Sequence, residues 1–137
     1  MALLTSARNT RERLALDFSF PMAANAAVHA GSMVTLTAAG FARNGLQGGT
    51  RVAGVAQASV NNAGGLDGAK TVQVKRGCHQ FLNHPADLVT PAEIGGLCYL
   101  VDDETVARTN GGATRVIAGT VMAVEIMGAT STVWVLF

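Results

Sequence analysis

Thr71-Val72-Gln73-Val74-Lys75-Arg76-Gly77-Cys78-His79-Gln80-Phe81 is the stretch on which the fold turns. Val72, Val74 and Arg76 interleave with Thr71, Gln73 and Lys75. Successive side chains of an extended strand point to opposite faces, so a period of two places the valines on a core and the polar residues in water. Residues 71–81 therefore read as one alternating strand run.

The same texture recurs in both directions. Upstream, Met33 to Thr37 reads as a strand closed by Ala38-Ala39-Gly40, and Arg51 to Val60 as another, with Val52, Val55 and Val60 as its larger apolar residues. Between them and the opening stretch, Asn61 to Ala69 carries Asn-Asn, Gly-Gly and Asp-Gly pairs and reads as a surface hairpin loop. Downstream, Cys98 to Val101, Val116 to Ile126 and Thr132 to Phe137 complete the set, with Asn110-Gly111-Gly112 as a tight turn. One helical signal interrupts the strands. Thr90-Pro91-Ala92-Glu93 places a capping Thr, a Pro at the first helical position and a Glu three residues after the cap. Gly95-Gly96 stops that helix after barely a turn. Seven or so short strands with glycine turns predict an all-β sandwich or small barrel. Long helical periods are absent, which argues against an α/β nucleotide fold.

The N-terminal end differs. Met1 to Arg13 is polar and basic, and Arg8, Arg11 and Arg13 form its basic cluster, read equally as a solvated mobile terminus or as a binding element. From Arg13 the chain alternates: Leu14, Leu16, Phe18 and Phe20 fall on one face, and Ala15, Asp17 and Ser19 on the other. These large apolar residues need a surface to lie on, whether their own domain, a sister subunit or another protein. Residues 1–21 are expected to be an extended arm and residues 22–137 a β-rich domain. Arg8, Arg11, Arg13, Leu14, Leu16, Phe18 and Phe20 are the candidate interface residues. Asp17, Pro21 and the polar residues Asn25, His29, Ser32, Thr35 and Thr37 exclude a signal peptide or membrane helix over the uncharged stretch 18–42.

Charged residues make up only 14% of the 137, while 49% are hydrophobic before 16 glycines are counted. Globular chains carry about a quarter charged residues, so part of this surface is expected to be covered by other protein. Ten basic against nine acidic residues give a net charge of +1, which argues against nucleic acid as a partner. Cys78 and Cys98 have no metal or redox spacing; they could bridge if their strands were neighbours, but two reduced, buried, small residues are the better reading.

Chemistry-bearing motifs fail one by one. Gly64 to Thr71 resembles a phosphate loop, but Ala69 stands where glycine must precede Lys70, and a strand follows instead of a helix. Asp102-Asp103-Glu104 lacks the spacing of a calcium loop, and adjacent strand residues point to opposite faces, so a polar turn is expected. His29, His79 and His84 lack metal-ligand spacing, and no nucleophile, base and acid can be nominated. No catalytic residue, metal or cofactor is expected. Trp134 and Tyr99 are the only residues of their types; each is a possible interface anchor, with core packing the better reading of Trp134 in its alternating strand.

One set of residues points further. Ile94-Gly95-Gly96-Leu97-Cys98-Tyr99-Leu100-Val101-Asp102-Asp103-Glu104-Thr105-Val106-Ala107 runs on through Asn110-Gly111-Gly112-Ala113-Thr114-Arg115, Ala118-Gly119-Thr120-Val121 and Val133-Trp134-Val135. Together with Ala30-Gly31-Ser32-Met33-Val34 and Ala53-Gly54-Val55-Ala56, this resembles the small capsid cement, or decoration, proteins of tailed bacteriophages, those of Mu-like and related siphophages above all. The resemblance spans residues 30–137; the Arg-rich arm is longer than the family pattern. It implies a structural virion protein on the outer capsid surface, a homotrimer that bridges major capsid subunits, without catalysis, cofactor, nucleic-acid or membrane partner. Many weak contacts repeated over a shell give avidity without a tight site. The expected fold is mainly β: a small β-sandwich or β-barrel-like (β-tulip-type) domain with one short helical turn and an extended N-terminal arm. A virion fibre or tail module that binds a receptor or glycan is the competing reading, and it needs an exposed aromatic platform. A small enzyme is a third, with nothing in the sequence to recommend it.

Overall fold

Alternating runs become strands, and the strands divide between two sheets that share one wall. A computed structural model describes residues 5–9, 16–47 and 49–137, the side chains of Gln47 and Met127 excepted. In chain order the strands are β1 (Asp17–Pro21), β2 (Ala27–Val28), β3 (Met33–Leu36), β4 (Ala42–Asn44), β5 (Arg51–Ala56) and β6 (Val60–Asn61). They continue with β7 (Thr71–Lys75), β8 (Cys78–Asn83), β9 (Leu97–Leu100), β10 (Thr105–Ala107), β11 (Ile117–Met127) and β12 (Thr130–Leu136). The fold is mainly β, as expected.

The first sheet has the order β1-β7-β5-β3-β4 and is antiparallel throughout. It curls, because Met22, just past β1, makes a parallel bridge to Ala42 on the far edge. The second sheet, β10-β8-β12-β11-β9, closes into a five-stranded barrel in which only the β8–β10 pair is parallel. β2 and β6 form a small separate ribbon.

Two cores result. Val133, Val135, Val121, Phe81 and Val106 fill the barrel, and Phe81 meets Phe137 edge-on with ring centroids 5.7 Å apart. Val72, Val74, Val34, Val28 and Met22 fill the curled sheet. β3 and β5 stand between them. Met33 and Val55, cross-strand partners, enter the barrel core, while Val34, Ala53 and Ala56 enter the other. Burial on both faces explains why Met33-Val34 and Ala53-Gly54-Val55-Ala56 show no polar alternation. Gly54 sits in this wall with φ +144°, and a side chain there would lie 2.7 Å from the Lys75 carbonyl oxygen. Two strands can approach this closely only at a residue without Cβ.

β7 alternates in burial as it does in sequence: Val72 and Val74 are buried, and Thr71, Gln73 and Lys75 exposed. Residues 71–81 are nevertheless not one run. The chain breaks at Arg76-Gly77, where Gly77 has φ +122°, so that β7 belongs to the curled sheet and β8 to the barrel. Residues 61–69 are a surface loop but not a hairpin, since β6 pairs with β2 and β7 with β1 and β5. The loop is built on buried Asn62, whose amide donates to the carbonyls of Ala23 (2.9 Å) and Leu66 (3.1 Å).

Thr90-Pro91-Ala92-Glu93 forms the expected short turn, of 3-10 type over Pro91–Glu93. The Glu93 carboxylate accepts from the Thr90 N–H and hydroxyl, both at 2.6 Å, and the hydroxyl bond foremost holds its pKa below the ordinary carboxylate value. A second such turn, Gly45–Gln47, was not signalled by the sequence. Two burial expectations are corrected. Cys78 is exposed on the outside of the barrel, and only Cys98 is buried. Trp134 is half-buried on the barrel's outer face, between the inward-pointing Val133 and Val135.

Candidate interaction surface

The outer face of the barrel carries a row of exposed apolar residues. Strand register places its residues side by side: Leu97 on β9 opposes Thr120 on β11, Thr120 opposes Leu136 on β12, and Leu136 opposes Cys78 on β8. Leu97 is 46% exposed and Leu136 41%. A β-bulge between Val121 and Ala123 adds Met122 to the same strand, 47% exposed. Such an extra residue is left outside the ladder and re-aims its side chain. Ile94 adjoins this row because Gly95 donates to the Val121 carbonyl (2.8 Å), and Val121 donates to that of Gly96 (2.9 Å). Ile117, 50% exposed, lies two positions along, opposite Tyr99. Every one of these residues is uncharged.

Polar groups mark the border of the wall. The Gln80 amide donates to the Glu125 carboxylate (3.1 Å) and to the Thr132 hydroxyl (2.9 Å) across three adjacent strands. Gly119 sits beneath the Leu97–Leu136 row, where a Cβ would collide with the Leu136 carbonyl oxygen. The close approach of β11 to β12 there depends on glycine. Tyr99 and Trp134, both half-buried, lie on opposite sides of Thr120 in the register and do not form one aromatic platform.

A second feature is a groove of about 540 Å³ at one end of the barrel, where Leu82, Leu88 and Val101 meet Thr105, Thr130 and Ser131. Asn83 stiffens its floor by donating to the Val89 carbonyl (2.7 Å) and the Ser131 hydroxyl (3.0 Å) while accepting from the Val89 N–H (2.9 Å).

The arm residues separate. Phe18 and Phe20 lie on β1, which pairs residue for residue with β7, and their rings are 6.4 Å apart. Phe20 packs on the curled-sheet core. Of the three surfaces open to this segment, residues 17–21 use that of their own domain. Leu16 is 44% exposed, though its carbonyl accepts from the Arg76 N–H. Arg8 is exposed and outside any strand. Arg11, Arg13 and Leu14 lie outside the described residues.

The ionisable groups serve local structure. Asp87 accepts from the Thr109 hydroxyl (2.6 Å), the Thr109 N–H (3.1 Å) and the Arg115 guanidinium (2.8 Å), fastening two loops separated in sequence. The Thr109 hydroxyl bond is the largest cause of its lowered pKa and outweighs the opposing effect of burial. Asp102-Asp103-Glu104 is a turn: the Asp102 carboxylate accepts from the Glu104 N–H, and the Asp103 carbonyl accepts from the Met33 N–H. Among the described residues no three His, Cys, Asp or Glu side chains group as metal ligands, and no helix is long and apolar enough to cross a membrane. Burial pushes the Cys98 thiol up to about 11, which keeps it protonated at neutral pH.

Compared with protein-family models, curated proteins and solved structures, the chain finds no match. The apolar wall had one sequence signal, the low charge of the whole chain. Its members, Ile94, Leu97, Met122 and Leu136, are scattered over three segments that only the barrel register brings together.

Proposed function

We propose that this chain is a structural, non-catalytic component of a virion that decorates the outer capsid surface and steadies the head by bridging major capsid subunits. The observation that carries this reading is the uncharged apolar wall of the barrel. Exposed apolar area of that extent, rimmed by polar groups, marks a protein–protein contact. The resemblance of residues 30–137 to phage cement proteins supplies the identity of the shell, and a trimeric assembly follows from the same resemblance. A receptor- or glycan-binding fibre module gains no support from Tyr99 and Trp134, whose rings are half-buried and separated.

Mixing the purified chain with expanded phage heads tests the proposal. Co-sedimentation with saturable stoichiometry is expected, together with a higher temperature of head disruption. Heads that remain bare at saturating protein would refute it. Deleting residues 1–15 leaves the β1–β7 ladder whole and is expected to weaken attachment; deleting through residue 20 also strips Phe18 and Phe20 from the sheet, so its effect would confound anchoring with folding.

A further inference from the structure

We infer that the Leu97–Thr120–Leu136 wall of the barrel is the face by which one copy of this chain binds another. The inference deepens the assembly reading, on which it rests, by naming the partner at this wall.

Three observations favour a second copy over an unrelated protein. First, the wall is uncharged over Ile94, Leu97, Ile117, Thr120, Met122 and Leu136. An uncharged apolar surface can pack on the same surface of one copy in a twofold pair, or of two copies gathered around a threefold axis, and in neither case needs a matching charge on a different sequence. Glu125 stands at the border, where the Gln80 amide donates to its carboxylate within the same molecule.

Second, the area fits. Ile94 (50%), Leu97 (46%), Ile117 (50%), Met122 (47%) and Leu136 (41%) leave nearly half of each side chain in water. Together these five expose roughly 400 Å², within the span of about 300–600 Å² of the largest patch on a typical monomer, a patch that is often functional. Two copies facing each other bring together roughly 800 Å² of apolar area. With somewhat over half of an interface apolar, the contact is about 1,400 Å² in all, inside the range of stable specific complexes.

Third, the wall is built rigidly. Leu97, Thr120 and Leu136 stand on consecutive barrel strands, and Gly119 holds β11 tight against β12 beneath them. The backbone of a closed barrel is already ordered, so association loses little further backbone entropy.

Cys78 at the end of the row reports on the contact. In a paired wall its thiol is shielded, and in a free protomer it is open. The test measures the mass of the full chain by light scattering on a sizing column, with far-UV circular dichroism as the check on folding. The wild type is expected at a multiple of 14.1 kDa. Leu97→Asp and Leu136→Asp are each expected at the monomer mass with an unchanged spectrum, because pairing the wall would then bury a carboxylate. Leu66→Asp, on the loop over residues 61–69 and 80% exposed, keeps the multiple. A wild type at 14.1 kDa, or folded wall variants that keep the multiple, would overturn the inference. Should the wall variants unfold, maleimide labelling of Cys78 in the wild type decides: labelling that quickens several-fold on dilution supports the pairing, and a rate independent of concentration refutes it. Capsid co-sedimentation of the same samples separates the two levels. An oligomer that ignores capsids sinks the shell reading alone, and a wild-type monomer that coats them sinks the self-pairing alone.

Discussion

Val74→Ala and Gln73→Ala, neighbours on β7, should have opposite outcomes. Val74 is fully buried among the residues of the curled-sheet core, opposite Phe18 on β1 and Ala56 on β5. Removing two methyl groups forfeits about 1.6 kcal/mol of transfer free energy, at about 0.8 kcal/mol each. A residual cavity on the order of 40 Å³ adds about 1 kcal/mol at 24 cal/mol per Å³, for a total of about 2.5 kcal/mol. With a urea dependence of about 1.5 kcal/mol per molar for a chain of this size, the unfolding midpoint falls by about 1.7 M. Global stability of about 7–20 kcal/mol leaves the variant folded. Gln73 is exposed, and Gln73→Ala should stay within about 0.5 kcal/mol of wild type. Urea titration followed by tryptophan fluorescence and circular dichroism measures both. A one-residue slip of register would exchange the two roles. Equal costs, or a costly Gln73→Ala, would refute the placement of β7 and with it the division into two cores.

Three further outcomes follow from single sites. Gly119→Ala drives a methyl group into the Leu136 carbonyl and within 2.8 Å of Val135, so about 2–3 kcal/mol of stability and about 10 °C of melting temperature should be lost; an unchanged melt would contradict the β11–β12 approach. Asp87 has a folded pKa below its unfolded value, so the stability it contributes is present above the ordinary carboxylate range and lost as pH falls through the lower folded value; Asp87→Asn should flatten that acid limb, and an identical pH profile would count against the Thr109–Arg115 clasp. Cys78 should react with a thiol reagent at neutral pH in the dispersed protein while Cys98 stays inert until unfolding, and two equally fast thiols would contradict the barrel's inside and outside.

Strands were legible in the sequence wherever one face is wet. β7 declares itself through Val72 and Val74, and β11 and β12 through runs that the structure moves by one or two residues. Period two gives alternation but not which face is inside. Trp134 sits in an apolar alternation, which points to the core, yet its parity is that of Leu136, not of Val133 and Val135. Cys78 shares that outward parity through its pairing with Leu136. The break at Arg76-Gly77 was hidden because alternation resumes in β8 with Phe81 inward. Closure of the barrel was illegible: it rests on the parallel β8–β10 pairing of Leu82 with Thr105 and Asn83 with Val106, which no local pattern encodes. The apolar wall and the Asp87 clasp were missed for the same reason, since residues 94, 97, 122 and 136, like residues 87, 109 and 115, meet only through long-range contacts. The polar turn at Asp102-Asp103-Glu104 and the cap at Thr90 were readable because their chemistry is local.

Electron cryo-microscopy of intact phage heads assembled in cells that express this chain is the most direct test of the proposed role. The account predicts protein density on the outer capsid surface, over junctions between major capsid subunits, into which the barrel and curled sheet fit as clustered copies joined along the β9–β11–β12 wall. Heads whose outer surface shows no density for this chain, from cells shown to contain it, would contradict the account.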